Sequence, residues 1–205
     1  MDAANPLRTI APTVDADVLR VLARTHRPLS GAAVARLTGR SYARTRACLH
    51  RLVEHGLVGA EDVGPAVQYR LNRAHVLAAP VLAVVDADLA VEEWLVERLH
   101  RWSPPARAVV LFGSWVRREA GPDSDLDLLV VRADDVDPDG AWAEQVHATG
   151  GELEALTGNP VQVVHVSATD LATAVREDQP LIGSLRLDGR VLVGPDLRDL
   201  LRAAS

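Results

Sequence analysis

Apolar positions along this chain follow two regimes. In the first, up to about residue 56, they recur at helical spacing. Val18, Leu19, Leu22 and Ala23 stand at i, i+1, i+4 and i+5, which predicts a helix from Asp15. It should stop near His26, because Pro28 disfavours helix in the residue before it. Ser30 is placed to cap a short helix over 31–37. Thr38, Gly39 and Arg40 make a turn, and Ser41 is placed to cap a longer helix reaching about His55. Leu49, Leu52 and Val53 face inward, and Gly56 serves as its C-terminal stop. Residues 57–59 and 66–71 then flank a polar stretch that holds Gly64 and Pro65, so a β-hairpin follows the helices. From about His75 to Trp102 two offset stripes appear, Val81, Val85 and Leu89, then Val91, Leu95, Leu99 and Trp102. They predict a connecting helix that buries more than one face, either packing on both domains or forming a dimer seam. Pro80 sits in its first turn or marks a kink, and Trp94 reads as packing. Ser103, Pro104 and Pro105 are a stop signal and linker.

The second regime begins near Ala108. Here short, largely apolar runs, 108–112, 128–131 and 161–166, are separated by turn residues, which predicts strands. Between the last two lies a helix over 141–156, with Trp142, Val146 and Leu153 inward. A helix from Ser167 or Thr169 to about Glu177, a short helix over 180–187, a strand over 189–193 and a small helix over 197–201 complete the chain. Residues 1–14 lack periodicity and read as a loose arm. The expected fold class is α/β (α+β): helices and a hairpin over 15–73, a connecting helix and linker over 75–103, and a small mixed sheet flanked by helices over 104–205.

Composition narrows the function. The 205 residues are 48% hydrophobic, enough to bury real cores. No run is long and apolar enough for a bilayer and the N-terminus lacks a signal-peptide pattern, so a cytoplasmic protein with no membrane partner is expected. The lone Cys48 fits a reducing compartment. All 22 basic residues are arginine, which we read as genomic bias. Residues 1–75 carry 11 arginines against 6 acidic residues, whereas residues 76–205 carry 11 against 22. A basic first part suits nucleic acid and an acidic second part suits a metal.

The chemistry concentrates in 111–131, which reads strand, tight turn, short helix, turn, strand. Asp125 and Asp127 alternate with Leu126, so they share a face of the second strand. Two carboxylates side by side repel unless a cation lies between them, and Mg²⁺ (or Mn²⁺) is held by one or two carboxylates and completed by phosphate oxygens. Gly113 lets backbone approach a ligand. Ser114 stands where the short helix should begin, so its hydroxyl and free N–H groups can meet phosphate. The bland reading is an acidic strand end after an ordinary turn.

Gly113-Ser114, ten residues, then Asp125-x-Asp127 resembles the GS-x10-DxD signature of the DNA polymerase beta-like nucleotidyltransferases, and in particular their minimal branch. The likeness covers about ninety residues from Ala108. It implies that Asp125 and Asp127 are catalytic and bind the metal, that Gly113 and Ser114 bind the β,γ-phosphates, and that the cofactors are Mg²⁺ and an NTP such as ATP. Two positions depart from the pattern. The further glycine four residues after the serine is Arg118 here, preceded by Arg117. The third carboxylate, expected near position 162, is Gln162, which cannot act as a general base.

The three helices and hairpin over about 15–72 resemble a winged helix-turn-helix domain. That likeness implies that the Ser41 helix reads DNA, through Ser41, Tyr42, Arg44, Thr45 and Arg51, with Arg70 and Arg73 near the wing touching phosphate. The alternatives are a solvated arginine face or a winged helix used for protein contacts. Trp115 either stacks on a base or fills the core. Arg117 and Arg118 grip phosphate or stand exposed. His165, three positions from Gln162, should face the opposite side, towards core or helix. The loop with Asp134, Asp135, Asp137 and Asp139 reads as solvated.

Two functions follow. One is a Mg²⁺-dependent transferase that moves NMP from an NTP to a protein or nucleic-acid hydroxyl, with a toxin-type RNase as one partner. The other is a DNA-binding transcriptional regulator, or part of a toxin–antitoxin operon, whose nucleotidyltransferase-like domain only binds nucleotide or a partner protein.

Overall fold

The computed structural model describes residues 1–204. They form two compact units. One comprises residues 4–88 with Asp2, the other the residues from 89 onward with Met1 and Ala3.

The first unit contains α1 (Leu7–Ile10), α2 (Val14–Ala23), β1 (Leu29–Ser30), α3 (Gly31–Thr38), α4 (Tyr42–Glu54), β2 (Val58–Val63), β3 (Ala66–Leu71) and α5 (Ala78–Val85). Ser30 caps α3 by accepting from the Ala33 N–H, and Ser41 caps α4 by accepting from the Arg44 N–H. Gly39 and Gly56 lie in the left-handed region at φ +67° and +74°, where helices end most easily on glycine. Leu22, Val34, Leu49, Leu52 and Leu71 fill the core between the helices and the hairpin. The polar stretch after Gly59 is strand rather than loop. β2 runs to Val63, and Gly64 at φ +61° turns it into β3. The residues before α3 also join the sheet, since β1 pairs antiparallel with β3.

The expected loose arm is ordered. Asp17 is fully buried and accepts from Asn5 Nδ2 at 3.0 Å, Arg8 Nε at 2.7 Å and Arg40 Nε at 2.7 Å. A buried carboxylate is tolerated only when paired and hydrogen-bonded. Here one aspartate of α2 binds the arm and the turn between α3 and α4, through contacts that carry no periodicity.

The expected connecting helix is two helices, α5 and α6 (Ala87–Leu99), separated at Asp86. Pro80 lies in the first turn of α5, where a missing N–H costs nothing. The stripes divide between the two cores, except that Leu89 of the first stripe is 38% exposed. Val81, Leu82, Val84 and Val85 pack into the first core. Val91, Leu95, Leu99 and Trp102 are buried in the second, so that stripe does not stand free as a dimer seam.

The second unit holds β4 (Ala108–Phe112), β5 (Leu126–Arg132), α7 (Gly140–Thr157), β6 (Val161–Ser167), α8 (Ala168–Arg176), α9 (Pro180–Asp188), β7 (Arg190–Val193) and α10 (Leu197–Ala203). The sheet order is β6-β5-β4-β7, with β5 parallel to β6 and antiparallel to β4, and β4 antiparallel to β7. Both faces of the central strands are covered. Leu126, Leu128 and Val130 pack with Trp142, Val146 and Leu153 of α7. Leu129 and Val131 pack with Leu171, Ile182, Leu185 and Leu200 of α8, α9 and α10. Ser167 and Asp170 form a capping box at α8. Among the described residues no helix is long and apolar enough to cross a membrane.

Candidate functional site

Alternation along β5 decides where its carboxylates stand. Leu129 and Val131 face α8, α9 and α10, so Asp127 and Asp125, two and four positions earlier, share that face at the strand's open end. Asp127 pairs with Phe112, the last residue of β4, and with Gln162 of β6. Directly paired residues lie side by side on one face of a sheet, so Gln162 stands beside Asp127, where the resemblance expects a third acid.

Gly113 follows Phe112 and bends the chain back at φ +80°. A Cβ there would meet Asp127 Oδ2 at 2.5 Å, closer than any real side chain can approach. The glycine thus has two causes: a left-handed backbone, and a carboxylate in the space of its missing side chain.

The expected short helix after Ser114 does not form. Residues 113–118 are a run of turns. The Arg117 N–H reaches the Gly113 carbonyl at 3.3 Å, but the Ser114 carbonyl accepts from Glu119 at 2.9 Å and Ala120 at 3.2 Å, too far along for helix. Arg118, at the family's second glycine position, takes φ +56°. That is the conformation a glycine would adopt freely and an arginine adopts at a cost of roughly 1–2 kcal/mol. Ser114 therefore opens a turn with irregular donors rather than a helix N-terminus. Trp115 is 2% exposed and lies in the core with Leu111 and Leu126, so it is not a stacking platform for a base.

Two residues outside the signature complete the site. Asp188, the last residue of α9, accepts from the Gly113 N–H through Oδ1 at 3.0 Å, and its Oδ2 pairs with Arg117. Arg117 also meets Glu119 at 2.8 Å. Asn159 is fully buried just after α7 and holds the approach to Asp125. Its Nδ2 donates to the carbonyls of Gly121, Pro122 and Ser124 at 3.1, 3.2 and 3.0 Å, and its Oδ1 accepts from the Met1 ammonium at 2.6 Å. Neither is visible as a motif: an aspartate ending a helix and an asparagine before a proline are common in ordinary turns.

The electrostatics follow from this crowding. Burial raises the Asp127 carboxyl above its usual range, Asp125 and Asp188 raise it further, and Arg117 opposes them. Such a carboxylate gains most from a cation. Among the described residues no three acidic, histidine or cysteine side chains converge tightly enough to hold a metal by themselves. The donor set nevertheless fits a hard divalent ion of the Mg²⁺ type, which takes one or two carboxylates and leaves the remaining positions to phosphate and water. His165 lies on the other face of β6, with His147, Val161 and Val163 along α7, and takes no part.

In the first unit the predicted reading face of α4 is partly dismantled. Tyr42 is 55% exposed, and Ser41, Arg44 and Arg70 are exposed, Ser41 doubling as the helix cap. Thr45, in contrast, is fully buried and faces the core one turn before Leu49 and two before Leu52, so it cannot touch DNA. Arg51 pairs with Asp15. Arg73 donates to the Ala23 carbonyl at 3.0 Å, closing the end of α2.

Comparison with known proteins agrees with this division. Residues 16–62 match the IclR helix-turn-helix domain, and residues 97–182 match the polymerase beta nucleotidyltransferase family. No curated protein matches. A toxin–antitoxin structure with AMP-PNP is 19% identical, covering 55% of this chain and 82% of that one at a TM-score of 0.38. The toxin–antitoxin MntA-HpeT carrying a D39ED41E mutation is 18% identical, with the same coverage and a TM-score of 0.37. Human N-acetylserotonin methyltransferase in complex with SAM is 21% identical, covering 41% of this chain and 27% of that one at a TM-score of 0.27. With scores this low, none of the three bears on what this chain does. The two family matches do: the chain joins an IclR-type helix-turn-helix domain to a polymerase beta-type nucleotidyltransferase domain.

Proposed function

We propose that the second unit binds a Mg²⁺-nucleoside triphosphate and transfers its NMP to a hydroxyl on a protein or nucleic acid, and that the first unit binds DNA. The observation that carries the reading is the packing of Asp127 against Gly113. It brings one carboxylate of the pair and a backbone bend together at one strand end. Asp125 and Asp127 would hold the metal, which supplies charge neutralisation on the phosphates. Gly113 and Ser114 would hold the β,γ-phosphates. The acceptor oxygen attacks the α-phosphorus, the bond to the β-phosphate oxygen breaks, and pyrophosphate leaves. These residues contribute position and charge. Gln162 has no atom that can take the acceptor's proton, so that proton passes to water and the transfer is slow. ATP as donor and an RNase-type toxin as acceptor belong to this proposal.

A second reading has its own support. Gln162 stands in register beside Asp127 where an acid would activate the acceptor. On that reading nucleotide is bound as a signal and not consumed, and the chain is a DNA-binding regulator. Incubation with each of the four NTPs, labelled at the α-phosphate, together with Mg²⁺ and host lysate separates the two. Label on a macromolecule, lost in Asp127→Asn, supports transfer. Nucleotide-dependent DNA binding with no pyrophosphate release supports the signal reading.

A further inference from the structure

The Gly113 N–H is a single donor, and it already has an acceptor. Asp188 Oδ1 lies 3.0 Å from it, and the other oxygen of the same carboxylate pairs with Arg117. The Asp188 side chain is only 6% exposed, so this is a seated group and not a wandering surface charge. A carboxylate that bridges a backbone N–H and a guanidinium makes the same two contacts that a phosphate makes in an anion site.

Taking the Gly113–Ser114 turn as the phosphate cradle of the proposed function, the geometry points to Asp188 as a resident anion on the polyphosphate subsite, which an incoming phosphate must displace. Displacement needs only rotation of one side chain. Weakly charged anions do not replace Asp188, because they offer Arg117 no more than it already has. The residue thus sets a threshold: a metal-bound triphosphate enters, and a monophosphate does not. Were Asp188 instead a ligand for the metal, removing its charge would weaken binding.

Titration calorimetry on the full chain and on Asp188→Asn decides between these, with Mg²⁺-ATP and with Mg²⁺-tripolyphosphate, which lacks a nucleoside. The expected result is at least a tenfold gain in tripolyphosphate affinity in Asp188→Asn, and measurable monophosphate binding only in that variant. In the wild-type chain, the Gly113 amide resonance shifts as tripolyphosphate saturates the site, a reading that stands even if the variant does not fold. Unchanged or weaker binding by a folded variant, a Gly113 amide that stays still while tripolyphosphate binds, or no polyphosphate binding by either protein overturns the assignment. If affinity rises as expected but α-labelled nucleotide never marks an acceptor, the transferase reading fails and the role of Asp188 stands.

Discussion

The two units place their charged residues in opposite ways. In the helix-turn-helix unit the candidate contacts Tyr42 and Arg44 of α4 and Arg70 of β3 stand exposed and make no common cluster. Its buried cluster around Asp17 ties the fold together. In the nucleotidyltransferase unit Asp125, Asp127, Gly113, Arg117 and Asp188 meet at one strand end. Outward charges act additively and are individually replaceable, whereas converging ones depend on each other's position. Substitutions should therefore have graded effects in the first unit and abrupt effects in the second.

The largest expected effect is at Asp127. Asp127→Asn should lower Mg²⁺-nucleotide affinity by more than about 100-fold, beyond what loss of a supporting hydrogen bond to a metal ligand costs. It should also raise the melting temperature of the metal-free protein, because the folded state holds this carboxylate among like charges and disfavours its ionised form. A variant that loses binding and stability together would show that Asp127 serves the fold.

Next comes Gly113→Ala. It forces φ +80° on an alanine and drives its Cβ against the Asp127 carboxylate. We expect a loss of about 1–3 kcal/mol in chemical denaturation, together with nucleotide binding. At the loop on the other side of the pair, Asn159→Ala strips three carbonyls of their donor. It should cost a further 1–3 kcal/mol, roughly the penalty of unsatisfied buried acceptors, and weaken Mg²⁺ affinity. Asn159→Asp, which keeps the shape and loses the donors, should do the same.

In the first unit Arg44→Ala and Arg70→Ala should each weaken DNA binding evenly across sequences and lower the salt slope by about one. Arg51→Ala should do less, since Arg51 already pairs with Asp15. Equal and total loss at any single arginine would break the comparison. The smallest effect concerns pH. Hydrogen bonds from Ser167 hold the Asp170 carboxyl below its usual range. Its contribution is therefore present above the unfolded pKa and lost as pH falls through the lower folded value. Asp170→Asn should flatten the acid limb of a stability–pH curve and leave nucleotide binding unchanged.

What was readable in the sequence tracks the same division. Strand and helix order in the second unit followed from short, largely apolar runs bounded by turn residues. That position 162 stands beside the pair was legible only through the resemblance, which expects a third acid there, and the register places Gln162 opposite Asp127. Asp188 was not legible, since it reaches Gly113 across 75 positions and falls beyond the 97–182 family match. The helix expected after Ser114 failed because Arg118 takes a left-handed conformation that composition does not announce. Thr45 was misplaced by one face of a helix, a step of a single position. The ordered arm and the break at Asp86 rest on ion pairs and on a split between two cores, and neither leaves a periodic trace.

Calorimetric titration of Mg²⁺-ATP into the wild-type chain and the Asp125→Asn/Asp127→Asn variant probes the core of this account. Saturable binding that requires Mg²⁺ and vanishes in the variant is the predicted result. Binding that survives in EDTA or in the variant, or no binding with any of the four nucleotides, would contradict it.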